Sequence, residues 1–93
     1  MEVRLQGIAG TREVFLNGKR LDPKPSQEIW NHSPDGFNWG YSGSGPAQLG
    51  LAILLACLPR EKALARYQDF KSKVIAALPM DRNFDQIVEI PND

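Results

Sequence analysis

The chain has one cysteine and one histidine in 93 residues. A single cysteine excludes a disulfide framework and a thiolate metal cage, and a single histidine excludes any site built on two imidazoles. There is no excess of charge: eleven basic residues against eleven acidic ones leave a net charge of zero. The overall charge therefore draws the chain neither to nucleic acid nor to an anionic membrane. A long hydrophobic run is also missing. The longest, residues 47–58, contains Gln48 and stops at Pro59, far short of the roughly 20 residues that cross a bilayer. The opening residues carry Glu2 and Arg4 where a signal peptide would be apolar. These absences predict a soluble cytoplasmic protein with no metal and no other cofactor.

What is present reads as one small domain, residues 1–93, close in length to a typical single domain. Val3 and Leu5 alternate with Arg4 and Gln6, the period of a half-buried strand, and Gly7 and Gly10 then loosen the chain. Glu13-Val14-Phe15-Leu16 and Lys19-Arg20-Leu21 flank Asn17-Gly18. Asn-Gly suits a type I′ hairpin, because both turn positions need positive φ. A β-meander over residues 2–21 follows. After it, residues 22–45 hold Pro23, Pro25, Pro34 and four glycines, together with Trp30, Phe37, Trp39 and Tyr41. Proline and glycine interrupt regular structure, while aromatics are scarce in disordered chain. The segment is therefore an ordered loop pinned by its own rings, with a short strand near Phe37 to Tyr41.

A helix starts at Gly45 as N-cap, with Pro46 at the first helical position and Gln48 reaching back to close the cap. From Ala47 to Cys57 its residues are apolar on every side, which predicts a fully buried core element. Pro59 begins a second helix. Leu64, Tyr67, Phe70, Val74, Ile75 and Leu78 recur along it at helical spacing. Residues 84–90, with Val88 and Ile90 on one side, form a last strand. The predicted fold class is α+β: a small antiparallel sheet, from the N-terminal hairpin or meander and the C-terminal strand, packed against two helices.

The central stretch NHSPDGFNWGYSGSGPAQLGLAILL, residues 31–55, resembles a family of small prokaryotic, plasmid and phage proteins, the domain of unknown function 6166. The matching features are Ser33-Pro34, Gly36-Phe37, Trp39-Gly40-Tyr41 and the run Gly43-Ser44-Gly45-Pro46-Ala47-Gln48-Leu49, with Tyr67 and Phe70-Lys71 downstream. Asn38, Ser42, Gly50 and Phe84 depart from the family's usual residues. The resemblance covers nearly the whole chain. It implies a mobile-element origin but no established activity and no catalytic residues.

The loop aromatics carry the leading functional expectation. Tryptophan and tyrosine are favoured at the hot spots of protein interfaces. Trp30, His32, Trp39 and Tyr41 are therefore the candidate partner-binding residues of a non-enzymatic interaction module. Its partner would be a larger protein or host complex that the module inhibits or to which it acts as an adaptor. One alternative is an anion or nucleotide site at Ser42, Gly43, Ser44 and Gly45, where backbone N–H groups and the helix dipole meet at a helix start. No Walker-type Gly-Lys-Ser/Thr accompanies it. The other alternative is weak nucleic-acid binding on a basic face of the second helix, Lys62, Arg66 and Lys73. His32-Ser33 with Asp35 holds the residue types of a hydrolase triad, but Ser33-Pro34-Asp35-Gly36 reads as a turn, and no catalytic residue is assigned. Cys57 reads as a buried, inert thiol. The apolar first helix suggests a homodimer in which a second subunit helps to cover it.

Overall fold

A computed structural model describes residues 1–91. Strand β1 is Glu2–Ile8, β2 is Glu13–Leu16 and β3 is Lys19–Arg20. Helices α1 (Lys24–Ile29), α2 (Ser44–Cys57) and α3 (Arg60–Lys73) follow, then a single 3-10 turn at Ile75–Ala77 and strand β4 (Phe84–Glu89). The four strands form one antiparallel sheet in the order β3-β2-β1-β4. The chain thus has the α+β architecture expected, with helices on one face of the sheet.

Asn17 and Gly18 both take positive φ, 52° and 83°, as a type I′ turn requires. Asn17 also exchanges two bonds with Arg4: its backbone N–H donates to Arg4 O at 2.8 Å, and its Oδ1 accepts from Arg4 N–H at 2.9 Å. The turn is thereby stitched to β1. In β1 the inward positions are Val3, Leu5 and Gly7. Gly7 does not loosen the chain as expected. It holds an inward place in the strand, where a Cβ would lie 2.2 Å from the Phe84 ring. Glycine is needed there because the Phe84 ring of the neighbouring strand lies directly over the backbone.

Pro23 and Pro25 do not keep residues 24–29 irregular. Pro23 is the N-cap of α1 and Pro25 lies in its first turn. Proline belongs there, since the first N–H groups of a helix have no intrahelical partner to lose. No strand forms at Phe37 to Tyr41. Trp39 is instead fully buried. Its indole Nε1 donates to Pro79 O at 2.9 Å, and its ring meets Phe84 edge-on at 5.0 Å. The Arg12 guanidinium covers the ring 4.5 Å from its centre and donates from Nη2 to Met80 O. This packing ties the loop to β4 and to the turn before β2.

Residues 45–54 of α2 are buried; Ser44 at its start is exposed, and its last turn emerges at Ala56 and the half-buried Cys57. The cap is also two residues earlier than expected, at Gly43. α3 buries Ala63, Tyr67 and Phe70 against it, while Leu64 is exposed. Gly50 lets the two helices approach closely, because a Cβ there would lie 3.3 Å from Tyr67 O. The chain therefore covers α2 by itself, and the stated reason for a second subunit falls away.

Candidate functional site

The site is built on Gln48, a fully buried polar residue in the first half of α2. Its side chain does not turn back to close the helix cap. Oε1 accepts from the backbone N–H groups of His32 (2.7 Å) and Ser33 (2.9 Å). Nε2 donates to Ser26 Oγ (2.9 Å) and to Trp30 O (3.1 Å). Two accepted and two donated bonds exhaust what an amide side chain can make. Ser26, itself buried, donates its hydroxyl hydrogen bond to Pro23 O at 2.7 Å. Gln27 Nε2 donates to Ser33 O at 2.8 Å, closing the segment on itself. The path of residues 26–33 is thus fixed by one core side chain.

The consequence is positional. α1 ends at Trp30, whose backbone is extended and whose N–H returns to Ser26 O. The chain then turns at Asn31, where His32 N–H donates to Trp30 O at 3.1 Å in a γ-turn and brings the two side chains together. Trp30 and His32 accordingly stack, ring centres 5.5 Å apart and planes within 10°. On its other side His32 meets Tyr67 of α3, with Nε2 and Tyr67 Oη 2.8 Å apart. Tyr67 is buried, His32 is half-buried, and Trp30 is 59% exposed. Burial of the imidazole, then the nearby Lys71 ammonium, hold His32 below its ordinary pKa. At neutral pH the stack is therefore uncharged.

The other expected partner-binding residues are not part of this stack. Trp39 is in the core and offers no surface. Tyr41 is 40% exposed, and its ring packs over Gly43, where a Cβ would come within 2.5 Å of it. Tyr67 and Gln48 are the residues that reasoning from local pattern missed. Tyr67 read as a core position at helical spacing, and Gln48 as a capping residue. The signal available was Gln48 itself, one polar side chain in an otherwise apolar helix, since a buried amide must find partners.

The Gly-Ser loop is shaped by packing. Gly43 is extended at the N-cap and no side chain caps the helix. Ser42 and Ser44 are exposed, whereas Gly45 is buried against Asn38, where a Cβ would lie 2.5 Å from Asn38 Cβ. Lys62, Arg66 and Lys73 do not form an array of free cations: Lys73 is paired with Asp69 at 3.1 Å and Arg66 is half-buried. Ser33 lies in a turn, with Gly36 N–H donating to Ser33 O. Cys57 is half-buried and free, and burial raises its thiol pKa.

The geometry defines a small α+β domain that presents an aromatic pair on a fixed backbone. Residues 5–91 match the model of a family of unknown function (DUF6166), and the chain belongs to that family. It matches no curated protein and no solved structure. No helix among the described residues is long and apolar enough to cross a membrane.

Proposed function

We propose that this protein is a non-enzymatic interaction module that docks on a larger protein through Trp30, with His32 as its backing. The observation that carries this reading is the exposure of a tryptophan that is nevertheless held flat on a second ring by a buried scaffold. Large amphipathic side chains held in one orientation lose little entropy on binding, which is why tryptophan dominates interface energetics. In the cytoplasm, and in a family resembling genes of plasmids and phages, the partner would be a host complex that the module inhibits or to which it acts as an adaptor.

The test is a pull-down from host lysate with the tagged chain, at low and high salt, with Trp30→Ala alongside. A discrete protein retained at high salt and lost with the variant is the expected result. Recovery of nucleic acid at low salt only, or of the same protein with both chains, refutes the reading.

A further inference from the structure

We propose that two copies of this chain pair through the open edge of β4, antiparallel, about a two-fold axis at Gln86. Among the described residues, β4 is an edge strand that pairs with β1 alone, in unbroken register over its whole length. Ile90 N–H donates to Met1 O, and Arg4 N–H and C=O point to the opposite side, toward Asn17. Antiparallel alternation then turns the N–H and C=O groups of Phe84, Gln86 and Val88 toward β1. Those of Asp85, Ile87 and Glu89 face outward, unpaired within the sheet.

Natural sheets blunt such edges with bulges, prolines or repelling charges. β4 has no bulge and no proline within it. Its outer-face charges are already neutralised in the chain, Asp85 by Arg4 at 2.6 Å and Glu89 by the N-terminal ammonium at 3.1 Å. Between them Ile87 is 62% exposed, the most exposed large apolar side chain described. A groove of about 280 Å3, lined in part by Val74, Ala77, Leu78 and Val88, flanks the same edge and leaves room for the side chains that an added strand turns inward.

The register selects a second copy as the occupant. With Gln86 on the axis, Asp85 faces Ile87 of the copy and Ile87 faces its Asp85, giving four backbone hydrogen bonds between outward groups. The two Ile87 side chains become diagonal neighbours on the outer face, within reach of contact. The other diagonal joins the two Asp85 residues, each held by its own Arg4. Sliding the axis to Ile87 would set Asp85 against Glu89, and sliding it to Asp85 would set like residues face to face. Of these three registers, the one centred on Gln86 is the one that opposes no like charges directly.

Sedimentation of the full chain over a roughly hundredfold concentration range reads the association directly. A monomer–dimer equilibrium is expected. Ile87→Pro removes an outward N–H and leaves the β1 ladder intact, so it should weaken the dimer about thirtyfold through two lost donors. Ile87→Glu, which sets a carboxylate directly opposite the copy's Asp85, should weaken it as well, which covers the case in which the proline variant fails to fold by circular dichroism. Gln86 of the two copies would form a non-hydrogen-bonded pair, about 4.5 Å between Cα atoms, so oxidised Gln86→Cys should crosslink while wild type does not. A wild-type chain that stays monomeric throughout overturns the proposal. A dimer indifferent to Ile87→Glu, or one that Gln86→Cys does not crosslink, overturns it equally.

Discussion

Replacing Gln48 by methionine tests whether one amide holds residues 26–33 in place. Methionine keeps the length and apolar stem of the side chain and removes all four hydrogen bonds. The four losses are unequal. Ser33 N–H is left with no other partner, and an orphaned buried donor costs about 1–3 kcal/mol. His32 N–H and Trp30 O keep a mutual bond at 3.1 Å, and Ser26 Oγ still donates to Pro23 O. Each of these three loses a secondary bond worth about 0.5–1 kcal/mol net. The sum, about 2.5–6 kcal/mol, overstates the loss, because residues 30–33 can lift and let water reach the freed groups. A loss of about 2–3 kcal/mol is the expected outcome, or about 10–20 °C in Tm for a domain of this size. Urea denaturation gives the global loss, and amide exchange at Ser33 locates it. Exchange there should accelerate strongly while amides of residues 49–54 keep their rank as the slowest. A Gln48→Met protein within about 0.5 kcal/mol of wild type, with Ser33 still protected, would refute the reasoning.

The two tryptophans should separate cleanly: Trp30→Ala should cost at most about 1 kcal/mol, as an exposed ring on one stack, and Trp39→Ala about 3–5 kcal/mol, as a core deletion, both by urea midpoint. Gly45→Ala should lose about 1–3 kcal/mol, because its Cβ meets Asn38 Cβ and backbone, while Gly10→Ala, with nothing within 4 Å, should be close to neutral. The single histidine makes pH dependence readable by NMR: His32 should titrate below its ordinary 6.5, and Lys71→Ala should move it upward. Because the folded value lies below the unfolded one, the unfolded chain takes up this proton first. The His32 contribution is therefore intact above pH 6.5 and is lost as pH falls from there through the folded value; titration at or above 6.5 would contradict the burial described.

Much of the scaffold was legible because its signals are local. Asn17-Gly18 specifies its hairpin through backbone conformation alone, and the apolar run of α2 and the spacing of α3 announce helices. The parts not legible depend on distant partners. Leu64 and Ala63 are both plausible inward residues by spacing, and it is Ala63 that the fold buries. Gly7 looks like a strand breaker until Phe84, far along the chain, is placed over it. α1 was hidden because prolines that end helices elsewhere were sitting at a helix start. In the site, Trp30 and Trp39 look equivalent on paper. One is bound to the core by Pro79, Phe84 and Arg12, and the other is left outside by where α1 ends.

Gln48 grips the segment mostly by its main chain: two amide protons, one carbonyl and, among side chains, only the hydroxyl of Ser26. Such an anchor is blind to what residues 30 and 32 carry. Substitutions there leave the four bonds of Gln48 in place. Trp30 can therefore vary on a constant Gln48 and Ser26 with little loss of stability, whereas His32 also partners the hydroxyl of buried Tyr67, and its replacement should cost stability.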